Sequence, residues 1–571
     1  MYSRRHFICL SSNVFGGVLL STAITGCALR TQSPVLSAAS FRHGVASGDP
    51  LADGIMLWTR AEPQNGPSNL TVAWELATDP AFSRVIRDGT ATAIPERNYT
   101  LKIDVRDLSP GMSYYYRFRS AGATSAVGRA RTLPAAGADR VRLAVMSCSN
   151  YPAGYFHVYR EAAREEHLDA FLHLGDYLYE YGAGGYATER AEALGRELAP
   201  DNDGELLTLE AYRGRYALYR ADPDLQALHA AAPCIAVWDD HEIANDAWQG
   251  GAENHSPEEG QFTARKLAAI QAYYEWLPIR PPGGEGSERI YRSFEFGGLL
   301  ALHMLDTRLI GRDRPLAYRD YVDARTGRLD TERFVADLSN PERSLLGDEQ
   351  RAWLAAKLGT SAARWQVLGQ QVLMGRMLMP AEMLGLKSYA EAPALLAELA
   401  RLKRAGRAGE VLSQTEQQRL RTVMPYNLDA WDGYPAEREK LYGAAVAAGK
   451  RIVSLAGDTH NAWHNRLRDA AGNEVGVELA TSSVSSPGFE TYFQMDVDTA
   501  KRLADDLPVL IDDLEYCNLH QRGYLLVTAT AEALQATWKF VDTVHSRDYT
   551  IAGVHTARMN WSPPASSPGS R

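Results

Sequence analysis

The sequence predicts an α/β protein preceded by a smaller all-β domain, and three observations carry that expectation. Residues 41–134 consist of short alternating apolar and polar runs split by turn residues. From residue 139 onward, unbroken apolar runs alternate with long helical segments. The chain, at 571 residues, is also too long for a single hydrophobic core.

Within residues 41–134 the strand candidates are Ile55–Thr59, Thr71–Leu76, Tyr99–Val105 and Ser113–Arg119. Gly48-Asp49-Pro50, Asp53-Gly54, Asp88-Gly89 and Ser109-Pro110-Gly111 separate them, as in an antiparallel β-sandwich. The run Leu108 to Tyr116 resembles a fibronectin type III strand with its tyrosine corner; a plain hairpin with core tyrosines is the alternative.

In the larger region, residues 139–545, Val141–Met146 and Ala170–Leu174 flank an expected helix Ala153–Glu166, giving a β-α-β unit. Further buried strands are expected at Cys234–Trp238, Leu299–Leu305, Gln366–Leu368, Ile452–Ala456, Gly476–Ala480 and Tyr524–Thr530. Helices are expected at Leu209–Arg220, Phe262–Trp276, Glu349–Leu358, Ala392–Arg404 and Ala436–Ala448. The helically spaced Tyr212, Tyr216 and Tyr219 read as a core stripe. Ala392 to Thr422 reads as a solvated helical hairpin, and residues 546–571 as a tail whose Ser/Pro-rich end, Ser562 to Arg571, is disordered.

Residues 1–27 read as an export signal. Ser3-Arg4-Arg5-His6-Phe7-Ile8 resembles a twin-arginine motif, and the apolar stretch Val14–Ile24 is too short to span a bilayer. Ile24-Thr25-Gly26-Cys27 resembles a bacterial lipobox, so Cys27 is either a lipidated first mature residue or ordinary cleavage falls between Gly26 and Ala39. The expected location is therefore periplasmic or outer-surface, with membrane contact only through an anchor at Cys27. Beyond the signal only Cys148, Cys234 and Cys517 remain, too few for a disulfide framework. The formal net charge of −10, or −12 without residues 1–26, disfavours a nucleic-acid partner.

Five fragments carry the chemistry: Ser147 to Asn150, Gly175 to Tyr179, Trp238 to Glu242, Asn427 to Tyr434 and Gly457 to His460. Four follow apolar runs, where strand ends gather functional side chains. Asp176 has two oxygens with which to bridge a pair of metal ions, as two-metal hydrolases require. Asp458 and His460 offer one hard oxygen and one imidazole nitrogen, and Asp240 and His241 repeat the design. Tyr179 is either a phenolate donor to ferric iron or a buried tyrosine, and Cys148 either a thiolate selecting iron or zinc or an apolar core residue. Cys234 lacks polar neighbours and reads as core. A serine esterase is disfavoured, since no Gly-x-Ser-x-Gly elbow occurs.

These motifs, with Tyr216 to Pro223, Leu225 to Ala230, Trp431 to Pro435 and Ser483 to Gly488, resemble the PhoD-like group of the metallophosphoesterases from about Phe41 to Thr543. The resemblance implies a metallophosphoesterase-type β-sandwich core flanked by helices. It also implies an alkaline phosphatase or phosphodiesterase acting on small phosphate mono- or diesters, with Fe3+ beside Ca2+. Zn2+ or Mn2+ in place of iron is the alternative. Cys148-Ser149-Asn150 stands where general members carry Asp-x-His, Asp239-Asp240-His241 where they carry Gly-Asn-His, and Gly457-Asp458-Thr459-His460 where they carry Gly-His-x-His. Together these substitutions remove imidazoles from one position and give it oxygen ligands suited to calcium. On this basis Cys148, Asp176, Tyr179 and His460 are assigned to iron, and Asp176, Asp240 and Asp458 to calcium, with Asn245 a weaker candidate. His241 is cast as proton donor or phosphate partner and Asn150 as a second catalytic residue. A phospholipase D-type hydrolase and a catalytically dead binding lipoprotein remain the rival readings.

Overall fold

The structure, a computed structural model, describes residues 35–64, 66, 68–284 and 287–560. The signal region through Cys27 and the Ser562 to Arg571 segment lie outside the described residues.

Two large sheets organise the described chain. The first contains β1 (Val45–Gly48), β2 (Ile55–Arg60), β3 (Thr100–Val105), β4 (Arg140–Met146), β5 (Ala170–His173) and β6 (Cys234–Ala236). The second is built from β7 (Arg292–Phe296), β8 (Leu300–Met304), β9 (Trp365–Gly369), β10 (Ile452–Ala456), β11 (Ala462–Arg468), β12 (Glu474–Ala480) and β13 (Leu514–Asn518). The chain then returns to the first sheet as β14 (Arg522–Thr530), β15 (Ala533–Val541) and β16 (Ile551–Asn560). The orders are β16-β15-β14-β4-β5-β6-β1-β2-β3 and β7-β8-β9-β10-β12-β11-β13.

The middle of each sheet is parallel: β4, β5, β6 and β1 in the first, β8, β9, β10 and β12 in the second. Strands β5, β6, β8, β9 and β10 are buried along their whole length, as strands covered on both faces must be. Val145 and Leu172 of the first sheet share one core with Leu302, Val367 and Leu455 of the second, so the sheets pack face to face. A parallel bridge between Ser147 and Ser483, just beyond β4 and β12, ties the two strand-end edges together.

Helices Leu209–Arg220 and Phe262–Trp276 join the same core through Tyr212, Tyr216, Tyr219, Tyr273 and Trp276. The tyrosine stripe is fully buried, as its spacing predicts. Helices Ala392–Arg407 and Val497–Leu510 instead pack with Ile452 and Ala456 of β10 through Leu396, Leu399, Leu503 and Leu507.

One expectation is refined and three need correction. First, the N-terminal all-β domain is present as expected but shares a sheet with the larger region. Its five-stranded sheet, which includes Leu70–Ala77 and Ser113–Ser120, packs on β1–β3, and these belong to the nine-stranded sheet through the Cys234–Gly48 pairing. Tyr114 makes the expected corner: its hydroxyl accepts from the Ser109 amide at 3.0 Å. Second, the assigned 546–571 tail contains β16, paired along its length with β15. Third, the helix expected at Ala153–Glu166 is only His157–Ala163, because Tyr155 is held by the Val544 carbonyl. Fourth, the helical hairpin is not simply solvated, since Leu396, Leu399 and Leu402 are buried.

Candidate metal centre

The C-terminal ends of the parallel strands converge, and each delivers one part of the site. Cys148 follows β4, Asp176 follows β5, Asp239, Asp240 and His241 follow β6, and Asp458 and His460 follow β10. Three clusters of donor atoms result: Cys148 with Asp176 and His460, Asp176 with Asp240 and His241, and Asp239 with Asp240 and Asp458. Within each cluster one donor atom per residue lies within 4.8 Å of the others. Asp176 and Asp240 each belong to two clusters, so the groups form one continuous array.

The backbone is bent to achieve this. Cys148, Asp176, Asp458 and His460 all adopt positive φ, between 52° and 63°, where residues carrying a Cβ are uncommon. Such conformations cost of order 1–3 kcal/mol each and collect where function over-determines them. Gly175 has φ +106°, and a Cβ there would lie 2.3 Å from Asp239 Cβ, so only glycine lets the β5 and β6 ends approach. Buried Glu242 clamps these two ends, accepting from the amides of Asp176 at 3.0 Å, Tyr177 at 2.6 Å and Asp239 at 2.8 Å. Burial and nearby Asp176 push its carboxyl up to about 8.

At the first cluster, Tyr179 donates to Asp176 Oδ2 at 3.0 Å and lies 3.1 Å from His460 Nε2. Ser486 Oγ donates to the Tyr179 hydroxyl at 2.7 Å. His460 Nδ1 sits 2.7 Å from the Pro487 carbonyl; that contact assigns the proton to Nδ1 and leaves Nε2 bare toward Tyr179 and Asp176. Burial, and after it the charge of Asp176, pushes both the Cys148 thiol and the Tyr179 phenol well above their ordinary values. A bound cation reverses that logic by favouring thiolate and phenolate.

At the other end, His241 Nδ1 contacts Glu180 Oε2 at 2.7 Å. Glu180 is fully buried and also accepts from the Asn245 amide at 2.8 Å and from Asn254 Nδ2 at 3.0 Å. Burial opposes a charge on His241, but Glu180, Asp240 and Asp176 outweigh it and raise the imidazole well above its usual value. Tyr179 and Tyr181 flank the His241 ring at 4.3 and 5.4 Å, and Tyr186 lies parallel to it at 6.5 Å.

Two residues fit their expected parts less well. Asn245 donates its side-chain amide to Glu253 at 3.3 Å, while its backbone amide serves the site through Glu180. Asn150 donates weakly to the Tyr186 carbonyl at 3.4 Å, while its buried Oδ1 has no partner. In that orientation it offers an acceptor rather than a donor for a phosphate oxygen.

Several functional-site residues escape the sequence reasoning: Asp239, Glu180, Glu242, Ser486 and, above all, Arg308 and Asp429. Buried Arg308 faces four carboxylates, those of Asp239, Asp240, Asp429 and Asp458. Arg312 also pairs with Asp429. Asp306-Thr307-Arg308 follows an apolar run like the other site segments, so the signal was present in the sequence. Asp429 lies in the Asn427 to Tyr434 fragment.

The donor set fits metal ions. Asp176 Oδ1, Asp239 Oδ2 and Asn150 Oδ1 are buried without a hydrogen-bond partner, and Asp240 Oδ1, likewise without one, has only Arg308 Nη2 at 3.5 Å; buried oxygens so placed are costly unless a cation satisfies them. Asp176, Asp239, Asp240, Asp429 and Asp458 bring five carboxyl groups together around only two guanidiniums, those of Arg308 and Arg312. Burial with mutual repulsion pushes the Asp239 and Asp458 carboxyls well above their ordinary range, a cost a bound cation would relieve.

A family model described as PhoD-like phosphatase matches residues 143–538, and a second, PhoD-like phosphatase, N-terminal domain, matches residues 26–134. The chain is 32% identical over 569 residues to alkaline phosphatase D of Bacillus subtilis (strain 168), covering 95% of this chain and 85% of that protein. A solved structure described as "Structure of PhoD" aligns with a TM-score of 0.72 at 29% identity, covering 94% of this chain and 95% of the other. By sequence, fold and the strand-end array of donors, the chain belongs to the PhoD-like phosphatase family and is a phosphoric ester hydrolase.

Proposed function

We propose that the chain is an exported, metal-dependent alkaline phosphatase or phosphodiesterase that hydrolyses small phosphate mono- or diesters at an asymmetric pair of metal ions. The observation that carries this reading is the shared placement of Asp176 and Asp240 in overlapping donor clusters, each with one buried oxygen lacking a hydrogen-bond partner. Cys148, Asp176, Tyr179 and His460 would hold iron. The thiol and phenol support this choice, since soft or anionic donors of these types favour a transition metal. Asp176, Asp240 and Asp458 would hold calcium, supported by an all-oxygen set. When bound, such a pair supplies Lewis acidity and a nucleophile from water near neutral pH.

The remaining residues orient and protect that chemistry. Glu180 fixes His241 through Nδ1 and leaves Nε2 free to protonate the leaving oxygen or to bind a phosphate oxygen. Pro487 fixes the tautomer of His460, and Ser486 steadies the Tyr179 oxygen. The export proposal rests on the paired Arg4 and Arg5, with lipidation at Cys27 as one of its two forms. The mass of the mature N-terminus separates those forms.

Hydrolysis of a chromogenic phosphodiester by metal-replete protein tests the catalytic reading. Activity abolished by chelation and restored by adding metal is expected; activity unaffected after metal removal, confirmed by elemental analysis, overturns it.

A further inference from the structure

Arg308 is the least expected group in the centre, and its surroundings are built to immobilise it. Its own amide donates to Asp306 Oδ1 at 2.8 Å, as does that of Leu309 at 2.9 Å. The Asp306 amide in turn donates to Gln350 Oε1 at 2.8 Å, while Gln350 Nε2 donates back to the Asp306 carbonyl at 2.7 Å. Thr307 donates its hydroxyl to Gln371 Oε1 at 2.6 Å, and Gln371 Nε2 donates to the Trp238 carbonyl at 2.7 Å. The turn after β8 is thereby joined to the end of β9 and to the residue preceding Asp239.

From this fixed turn the guanidinium reaches all four carboxylates. Nε bonds Asp239 Oδ1, Nη1 bonds Asp429 Oδ2 at 2.7 Å, and Nη2 lies 3.3 Å from Asp458 Oδ1 and 3.5 Å from Asp240 Oδ1. Asp429 is itself held by Arg312, which also bonds the Thr307 carbonyl at 3.0 Å. The planar fork touches Asp239, Asp240 and Asp458, the three members of the all-oxygen cluster, and makes no ion pair with Asp176 or His460. A lysine could not do this, because one ammonium cannot address four carboxylates in a fixed plane.

We infer that Arg308 is a positioning residue for the hard-ion half of the site: it holds the carboxylates of Asp240 and Asp458 in fixed orientation for a calcium ion and leaves the Cys148 side untouched. This inference rests on the metal-pair reading. It also opposes simple electrostatics, since a nearby positive charge repels a cation and its removal alone would tighten calcium binding. Fixed orientation of ligands acts in the other direction, and loss of such supporting groups costs about 10–100-fold in metal affinity.

The test compares full-length wild type, Arg308→Lys and Arg308→Met after calcium removal, by calcium titration calorimetry, iron content and thermal unfolding. Positioning predicts that both variants bind calcium about 10–100-fold more weakly and retain wild-type iron. Unchanged or tighter calcium binding in either folded variant overturns the inference, as does parallel loss of iron. If Arg308→Met does not fold, Arg308→Lys, which keeps the charge and loses the fork, decides alone. A wild type that binds neither metal refutes the parent reading instead, so the two failures are distinguishable.

Discussion

Gly175 offers a direct test of how backbone geometry builds the centre. Replacing it by alanine adds one methyl group at φ +106°, with Asp239 Cβ at 2.3 Å and Asp239 N at 2.5 Å. The backbone conformation costs a residue with a Cβ about 1–3 kcal/mol. Crowding against the main chain of β6's extension adds about 1–3 kcal/mol, for a total of about 2–6 kcal/mol. Gly184 is the control: its φ is +81°, but nothing lies within 4 Å of a Cβ built there, so only the conformational part applies. Urea unfolding of the two alanine variants should therefore differ by about 1–3 kcal/mol, with Gly175→Ala the less stable. Relief of the clash must also move Asp176 or Asp239. A displacement near 1 Å at a catalytic centre lowers the rate about 100-fold. A Gly175→Ala variant as stable as Gly184→Ala, with wild-type kcat/KM, would refute the claim that the β5 and β6 ends are in forced contact.

Other outcomes follow from the same geometry. Tyr179→Phe should keep the fold while losing the visible absorption expected of a ferric phenolate, read by spectroscopy at equal iron content. Glu180→Gln removes the charged partner of His241 and should lower kcat by about 10–100-fold in steady-state kinetics, since a charge-assisted bond contributes about 1.5–3 kcal/mol. Asn245→Ala should leave calcium affinity within about threefold of wild type, because its side chain donates to Glu253 while its backbone amide serves the centre.

Much of the centre was legible in the sequence because the physical signal is local. A largely apolar run ends, and a carboxylate, thiol or imidazole follows within four residues; Cys148, Asp176, Asp240, Asp458 and His460 all obey that rule. Arg308 obeys it as well, but a basic residue does not look like a ligand until four carboxylates are seen around it. Asp429 and Ser486 lie in loops, and their partners are far away in sequence, as in the pairing of Ser486 with Tyr179. Asn245 was assigned only through the family resemblance, and its side-chain contact with Glu253 is another pairing that no local pattern announces.

The fold shows the same division. Ile452–Ala456, Leu209–Arg220 and Phe262–Trp276 were placed to the residue by composition and period. The union of the N-terminal strands with the larger sheet depends on a non-local pairing, Cys234 with Gly48, which no local pattern announces. Strand β16 alternates between exposed and half-buried residues at a sheet edge, so it lacks the apolar run that marks its buried neighbours.

The central claim is an asymmetric centre, with one position suited to iron and one to calcium. Elemental analysis of the purified active chain, with its visible spectrum and the same measurements on Cys148→Ala, tests this most directly. A coloured protein with about one iron and about one calcium per chain, whose iron is lost in Cys148→Ala, is the expected result. Colourless, fully active protein holding only zinc or magnesium, or undiminished iron in Cys148→Ala, would contradict it.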